Sequence, residues 1–409
     1  MTTTAQAPEA PQAPDVAPTL ESLPRRIWDN ARTGNLGSAP VLLALGLVVL
    51  IFAFTAQNFW SPANFQNIIT TMAGPCLIAY GVVFVLLIGE IDLSVAFVSG
   101  VAGVVVAETQ LPTGANLPWW VCVLAALAAT TAIGAFQGSI VALIGVPSFV
   151  VTLAGYEIWN GVILKVLNQG VIVIQDSKIN DFSSYLFSRQ AGWIMAGIAS
   201  ALYVGVTLWT AMAGMRHGIS VRDPVVVISK VVIVPLIAFL TVHILNKSGG
   251  VPLGLLLMVG ALVVWTFVAK RTTFGRHVYA VGGNAEAARR AGIIVPRIRI
   301  VVFMISGAMS GLGGIVLAAR LQSVDLNAGG GTLLLDAISA AVIGGTSLFG
   351  GRGQVRNALI GAALIYTIQS GMFIKGYATG IIYMVTGVIL LLAVTFDTIV
   401  RRIQVRSGR

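Results

Sequence analysis

The segment IVVFMISGAMSGLGGIVLAA, Ile300 to Ala319, contains no charged residue and lies between Arg299 and Arg320. A helix of about 20 apolar residues is as long as the hydrocarbon core of a bilayer is thick. Gly307 and Gly311 are four residues apart, a small-xxx-small spacing that lets two transmembrane helices approach closely. The segment therefore predicts a membrane-spanning helix packed among others.

Further apolar segments repeat this pattern along the chain. They lie at 39–56, 72–88, 93–107, 119–145, 148–167, 192–213, 231–245, 253–269, 337–349, 357–373 and 379–398. Several are short or are interrupted by glycine or proline, so the pieces around 72–107 and 337–373 are candidates for broken or re-entrant helices. The sequence predicts an all-α, polytopic transmembrane bundle with ten to twelve spans.

The composition excludes a soluble protein. Of 409 residues, 56% are hydrophobic and 10% are charged, whereas roughly 25% are charged in an ordinary soluble domain. The loops are too short for a soluble domain, which needs about 50 residues. Cys76 and Cys122 lie in apolar stretches, and the three histidines are far apart, so we expect neither a disulfide framework nor a metal site.

The basic residues predict the orientation. With the N-terminus in the cytoplasm, 19 of the 25 lysines and arginines fall on the cytoplasmic side. The six on the other side are Lys165, Lys178, Arg189, Lys247, Arg320 and Lys375. This bias predicts an N-in, C-in topology and accounts for the net charge of +10 without a nucleic-acid partner.

Composition also divides the chain. Residues 1–37 are polar and rich in proline, which predicts a disordered cytoplasmic tail. No apolar region stands near the start, so we expect the first span to be retained rather than cleaved. Residues 38–400 form the predicted transmembrane domain, with a cytoplasmic loop at 270–299, and residues 401–409 form a cytoplasmic C-terminal tail.

Acidic residues interrupt two apolar stretches. GEIDLSV, Gly89 to Val95, holds Glu90, Asp92 and Ser94, and a carboxylate within a membrane is costly unless it reaches water or a polar partner. The motif fits either a helix break lining a polar cavity or a short cytoplasmic turn with solvated acids. Farther on, Glu157 and Asn160 share a helical face, which suits a pore-lining pair or a residue that snorkels to the interface.

The loop at 270–299 contains the signals of one short helix. In VGGNAEAARRAGI, Val281 to Ile293, Asn284 can cap a helix whose first turn holds Glu286 and whose last turn holds two arginines. Gly292 offers the stop. So short a helix must be braced, and a braced helix at the cytoplasmic face suits docking to another protein; a membrane-surface helix whose arginines only fix topology is the alternative.

LDAISAAVIGGTSLFGGRG, Leu335 to Gly353, is rich in small residues and has Asp336 near its start. Thr346 and Ser347 can satisfy backbone groups freed by a helix break. The stretch fits a moving or re-entrant segment, and close static packing would look the same.

Several motifs are absent from the sequence. It has no GxxxxGK[ST] phosphate loop, no HExxH and no GxSxG elbow. His243 is the one histidine well inside an apolar span, which disfavours an intramembrane serine hydrolase. We expect a chain without covalent chemistry of its own, binding no cofactor and no metal.

From GEIDLSV onward the chain resembles the permease subunits of bacterial ABC monosaccharide importers of the ribose and xylose type. The likeness continues through PSFVVTLAG (Pro147 to Gly155), RTTFGRHVYAVGGNAEAARRAGI (Arg271 to Ile293) and Leu335 to Gly353, and covers about residues 39–400. Glu90, the PSFVVTLAG string and the apolar segment near 225–245 favour the xylose branch. Ala96 and Glu157 depart from the family pattern.

The resemblance implies a channel-forming subunit of the inner (cytoplasmic) membrane that pairs with a second copy. It also implies two cytoplasmic ATPase subunits, which bind ATP and magnesium, and an extracytoplasmic sugar-binding protein. The family's ATPase-coupling segment matches Gly282, Gly283, Asn284, Glu286, Ala287, Ala288 and Gly292, and we add Arg289 to it. Residues expected along the translocation path are Glu90, Asp92, Ser94, Glu157, Asn160, Asp336 and Thr346.

The sequence thus predicts D-xylose import by alternating access driven by a separate ATPase. Another pentose, ribose, a hexose or a nucleoside is an alternative substrate. An ion-coupled secondary transporter is a different class of alternative, in which Glu90, Asp92 and Glu157 would be the coupling acids.

Overall fold

The computed structural model describes residues 39–168, 170–216 and 224–406, and within them 15 α-helices are joined by loops. The helices are α1 (Ala39–Thr55), α2 (Pro62–Leu87), α3 (Val95–Thr109), α4 (Trp119–Ser139), α5 (Ser148–Leu167), α6 (Ser177–Ser184), α7 (Arg189–Arg216), α8 (Pro224–Asn246), α9 (Leu253–Arg271), α10 (Thr273–Gly283), α11 (Ala285–Arg290), α12 (Val295–Leu321), α13 (Leu333–Ile343), α14 (Val355–Ile374) and α15 (Thr379–Arg406). A π-helical turn, Ile140–Ile144, extends α4.

The predicted all-α membrane bundle is confirmed. Eight helices are long and apolar enough to cross a membrane, and four more apolar helices are shorter, which agrees with the predicted ten to twelve spans. The strands within the described ranges are only two residues long. They form two antiparallel pairs, β1 (Ile172–Val173) with β4 (Ser323–Val324) and β2 (Leu186–Phe187) with β3 (Val251–Pro252).

The two predicted terminal tails have different outcomes. The predicted tail at 1–37 lies outside the described residues. The last helix continues through Arg406, so most of the predicted tail at 401–409 is helical. Basic residues are good helix formers and suit the negative end of a helix, which is why the helix runs past the apolar segment.

The strand pairs agree with the predicted topology. Each strand belongs to a loop that the alternating N-in arrangement places outside the cytoplasm, and pairing joins these loops to one another. The C-terminal ends of α2 and α10 meet at the opposite side of the bundle. At the same place the backbone amide of Gly351, from the stretch after α13, donates to the Leu87 carbonyl over 2.9 Å.

Helix α12, which contains Ile300 to Ala319, is the centre of the bundle and packs against α2, α3 and α4. A methyl group on Gly307 would overlap the carbonyl oxygen of Thr130, and one on Gly311 would overlap the hydroxyl of the same residue. On another face, Gly314 lies against the backbone of Ser99. The predicted close approach through small residues is confirmed.

Helices α7 and α8 lie at the periphery. They pack mainly on each other, and most of their apolar side chains are exposed on the surface of the chain. Helix α8 is the apolar segment noted near 225–245, and its hydropathy fits contact with lipid rather than with the core.

Two helix interruptions occur where the sequence predicts them. Helix α2 is capped by Ser61, whose hydroxyl accepts from the backbone amide of Asn64, and it ends at Leu87. Residues 88–94 are not helical, and Gly89 has φ +76°. Helix α13 has 11 residues, which corresponds to about 16 Å. It is followed by a non-helical stretch at 344–354. Both broken regions are confirmed.

The loop between α12 and α13 enters the bundle. Val324 lies against Gly103, Ala328 against Gly100, and Gly329 against Ala96. These contacts follow α3 for seven residues toward its N-terminus, a distance of about 10 Å. The short helix α13 therefore begins below the outer surface of the bundle.

Candidate functional site

The acids of GEIDLSV occupy the break between α2 and α3. Asp92 is 5% exposed. Its Oδ2 accepts from the Ser306 hydroxyl over 2.8 Å, and its Oδ1 accepts from the Ser94 amide over 3.0 Å. The Ser94 hydroxyl lies 2.7 Å from Asp92 Oδ1 and 2.9 Å from Gln137 Oε1. Of the two alternatives, the solvated cytoplasmic turn is wrong for Asp92, because α12 and the break itself supply its polar partners, and α4 contributes Gln137 as a partner of Ser94.

Helix α5 completes this break. The Ser148 hydroxyl accepts from the Ile91 amide over 3.1 Å, and the Thr152 hydroxyl donates to the Ile91 carbonyl over 3.2 Å. Both residues belong to PSFVVTLAG, so that motif satisfies backbone groups that the break leaves free. Gly155, at the end of the motif, leaves room for the Gln137 amide.

Glu90 points to the cytoplasmic side of the break. Its Oε1 lies 3.1 Å from Arg299 Nη2, and the side chains of Glu90 and Arg299 are 14% and 30% exposed. The ion pair joins the break to the second turn of α12, at the end of the loop at 270–299. Removing one partner of such a partly buried pair costs more than breaking a surface pair, because the remaining charge is left unpaired away from water.

The short helix of the cytoplasmic loop is confirmed as α11. Asn284 Oδ1 accepts from the Ala287 amide over 2.9 Å, and Gly292 ends the helix with φ +86°. Glu286 pairs with Arg289 at 2.9 Å and with Arg290 at 3.0 Å. Hydrogen bonds from Arg289 and then Arg290 lower the pKa of Glu286, and the same contact with Glu286 raises the pKa of Arg289.

Three segments meet directly before this helix, at what we call the cytoplasmic junction, formed by residues 87–90, 282–283 and 349–351. A methyl group on Gly282 would overlap the Leu87 carbonyl oxygen, and one on Gly350 would press on the Gly282 carbonyl. Ala288 turns inward from α11 and is buried, whereas Ala287 is exposed. The junction connects the predicted coupling segment to the end of α2 and to the non-helical stretch after α13.

A second polar cluster surrounds Asp336, in the first turn of α13, where the helix dipole favours a carboxylate. Asp336 is 4% exposed. It accepts from Thr332 Oγ1 over 3.0 Å, from Gln369 Nε2 over 3.2 Å and from the Tyr366 hydroxyl over 3.4 Å. Tyr366 follows Val355 by 11 residues, so the cluster lies about 16 Å along α14, near the middle of a 30 Å hydrocarbon layer.

Polar residues continue from this cluster toward the outer end of α2. Ser370 donates to Asn64 Oδ1 over 2.6 Å, and Arg320 Nη2 lies 3.4 Å from Asn67 Oδ1. Asn67 and Arg320 are exposed. A row of hydroxyl, amide and carboxylate groups thus extends from the outer surface inward.

The remaining path residues lie elsewhere. Glu157 is exposed on the surface of α5, and Asn160 beside it is half-buried. Neither residue belongs to the polar cluster around Asp92 or to the one around Asp336. Thr346 is buried, yet within the described residues its hydroxyl has no hydrogen-bond partner, so it does not cap freed backbone as predicted. The Thr346 side chain instead packs against Gly353, whereas the Ser347 hydroxyl accepts from the Phe349 amide over 3.2 Å.

Sequence reasoning missed the residues that pair with the acids, namely Arg299, Ser306, Thr332, Tyr366 and Gln369. It also missed Gln137, Ser148 and Thr152, which bond to Ser94 and to the Ile91 backbone in the break. Polar residues inside apolar spans were the available signal, and any such residue is a candidate partner for a buried carboxylate. Their pairing could not be read from the sequence because the residues are separated by up to 214 positions.

The known proteins that are similar to this chain are transport permeases. The model of the family described as "Branched-chain amino acid transport system / permease component" matches residues 64–394. The xylose transport system permease protein of Escherichia coli (strain K12) is 34% identical over 90% of this chain and 93% of its own length. The ribose import permease protein of the same strain is 32% identical over 87% and 92%. The L-arabinose ABC transporter permease protein of Azospirillum brasilense is 28% identical over 87% and 86%. No solved structure matches the chain significantly.

Proposed function

We propose that this chain, which belongs to the branched-chain amino acid transport system / permease component family, is the permease subunit that moves D-xylose across the cytoplasmic membrane. At the coarser level it is a multi-pass membrane permease of the xylose, ribose and arabinose ABC type. The family description names amino acids, but the relatives that align along most of the chain are named for sugars. Those names support a monosaccharide.

One observation supports ATP-driven coupling above the others, namely the brace of α11 at the cytoplasmic junction. The Ile293 amide donates to the Ala288 carbonyl over 3.0 Å, which ties α11 to the start of α12. Arg299 then reaches Glu90 in the break between α2 and α3. A partner ATPase that grips α11 through Asn284, Ala287 and Arg289 would therefore displace both the break and α12.

The proposed mechanism is alternating access. Two ATPase subunits, which hold ATP and magnesium, close on two copies of this chain, and movement of α11 switches the path between outward and inward openings. The chain itself performs no covalent step. An extracytoplasmic binding protein delivers the sugar.

The row from Asn67 to Asp336 is the proposed outer part of the path. Sugar hydroxyl groups both donate and accept hydrogen bonds, and Asp336, Gln369 and Thr332 offer both kinds of partner. Replacing Asp336 with Asn should lower the uptake rate while the amount of the membrane-inserted protein stays constant, whereas Asp325→Asn, in the loop before α13, should have a smaller effect.

The coupling proposal is tested with Ala288→Asp. Placing a carboxylate at this buried position costs several kcal/mol, and should displace α11 and reduce ATP-dependent sugar uptake about tenfold in proteoliposomes with the ATPase and the binding protein. Ala280→Asp carries the same charge on an exposed position of α10 and should leave uptake near normal. Size-exclusion chromatography of both variants reports folding. Normal uptake by a folded Ala288→Asp protein would refute the coupling role.

The substrate and the energy source need separate measurements. Uptake of labelled xylose should be competed by unlabelled xylose more strongly than by ribose, L-arabinose, a hexose or a nucleoside; stronger competition by another sugar would reassign the substrate. Uptake should persist with a protonophore while ATP is maintained, and Glu157→Gln should remain active. Loss of uptake in both tests would favour the ion-coupled transporter instead.

A further inference from the structure

A basic cleft lies at the cytoplasmic end of α9, beside the junction but apart from the predicted coupling residues. Its volume is about 710 Å³, and it is lined by Ala269, Lys270, Arg271, Arg276, Tyr279, Gly353 and Gln354. Three of these residues are cationic and none is acidic. The cleft therefore attracts an anion.

Two of the cations are unpaired within the part of the chain that the structure describes. Lys270 Nζ donates to Gln354 Oε1 over 2.8 Å. Within the described parts of the chain, the guanidinium groups of Arg271 and Arg276 make neither a hydrogen bond nor an ion pair, and both residues are exposed. Two unpaired guanidinium groups that face one cleft suit an oxyanion, because each presents a planar fork of donors.

The face of α9 that leads to the cleft is apolar. Gly260, Val263, Val264 and Phe267 are exposed, and helical spacing of three or four residues places Arg271 on the same stripe. Phe267 is 60% exposed and Val263 63%. Since this face has the hydropathy of a lipid-facing surface, Arg271 lies where a lipid aligned along α9 would carry its headgroup.

Helix α10 forms the floor of the cleft and is amphipathic. It buries Gly275, Val278 and Val281 on one side and exposes Arg276 on the other. The Tyr279 hydroxyl donates to the Gly353 carbonyl over 2.8 Å, which fixes the ring beside the basic groups. Tyrosine is enriched at the level of lipid headgroups.

We propose that this cleft binds the phosphate headgroup of an anionic phospholipid of the cytoplasmic leaflet, with its acyl chains along the apolar stripe of α9. Basic pockets between transmembrane helices on this side of a membrane bind anionic headgroups. The apolar stripe distinguishes the lipid from a soluble phosphate, because a free anion gains nothing from Val263 and Phe267. The bound lipid would rest on α10, one residue before α11.

The test is native mass spectrometry of the full-length protein in detergent, titrated with phosphatidylglycerol or phosphatidylcholine. We expect preferential retention of phosphatidylglycerol. Each basic group near an anionic lipid surface contributes about fivefold, so Arg271→Gln/Arg276→Gln should weaken phosphatidylglycerol binding roughly 30-fold. Arg297→Gln, an exposed arginine on the same cytoplasmic side, should change it little.

Three results would overturn the proposal. Equal retention of both lipids would remove the headgroup preference. Displacement of phosphatidylglycerol by glycerol phosphate at equal concentration would show a site for soluble phosphate. Loss of the ATPase subunit from the double variant with unchanged lipid binding would show that the cleft is a protein-docking surface.

Discussion

At the residue scale, buried acids are positioned by polar residues from distant parts of the chain. Asp92 depends on Ser306 and Ser94, and Asp336 on Thr332, Gln369 and Tyr366. Each carboxylate thereby gains enough donors to remain inside an apolar bundle. The sequence identifies the acids as costly, but it does not identify the groups that offset the cost.

The pair of Glu90 and Arg299 gives a residue-scale prediction. Glu90→Gln leaves a partly buried arginine unpaired, which should lower the free energy of unfolding by about 1–3 kcal/mol and reduce uptake. Arg299→Gln should do the same. In thermal unfolding and in uptake, the double variant should lose less than the sum of the losses in the two single variants. Losses that add strictly would show that the ion pair contributes nothing to stability or transport.

Glu286 gives a second prediction, on pH. Its pKa is lowered in the folded protein by Arg289 and Arg290, so its contribution to α11 is complete above the unfolded pKa near 4.5 and is lost as the pH falls through the lower folded value. Glu286→Gln should raise hydrogen exchange in residues 284–292 at pH 7, after correction for intrinsic rates. The difference from wild type should vanish in strong acid; a difference independent of pH would contradict the assignment.

At the element scale, glycines determine which backbones meet. Gly307, Gly311 and Gly314 admit α4 and α3 to the surface of α12, and Gly282 admits the end of α2 to the end of α10. At Gly307, Gly314 and Gly282 the contact is with backbone atoms, and at Gly311 it is with the Thr130 side chain, so an added side chain would intervene at all four positions. The breaks at 88–94 and 344–354 meet at the cytoplasmic junction, where parts of both are exposed, so their backbone groups need not all be satisfied within the apolar layer.

Two neighbouring glycines test the junction. Gly282→Ala should destabilise the protein and uncouple ATP hydrolysis from uptake, since its methyl group would overlap the Leu87 carbonyl. Gly283→Ala has open space around its added methyl group and serves as the matched control. Gly282→Ala should have a lower unfolding temperature and a lower ratio of sugar transported to ATP hydrolysed than Gly283→Ala. Equal values for the two variants would mean that the junction accommodates the added methyl group without loss of stability or coupling.

At the scale of the whole molecule, a packed centre of α2, α3, α4 and α12 is surrounded by more exposed helices, with α7 and α8 outermost. The strand pairs join loops at one face, and the junction joins loops at the other. A permease that transmits movement from the cytoplasm to its path needs such a continuous centre.

The predicted N-in, C-in topology can be tested with introduced cysteines. Cys76 and Cys122 are buried and should give little background labelling. In intact cells, a membrane-impermeant maleimide should label Lys178→Cys, and it should label Arg297→Cys only after the cells are opened. The reverse pattern would invert the topology, and labelling of both in intact cells would refute alternation between these positions.

By itself the sequence determined the class of fold, the positions of the apolar helices, the short capped helix α11 and the broken regions. These features depend on local chemistry: hydrophobic length, capping residues and glycine spacing act within a few turns of helix. The tertiary structure alone decided that Asp92 is buried, that PSFVVTLAG completes the break at Ile91, that Glu157 lies apart from both polar clusters, and that three glycine-containing segments meet at the junction. Those outcomes depend on contacts between residues far apart in the chain, and the chain must be packed before such residues become neighbours.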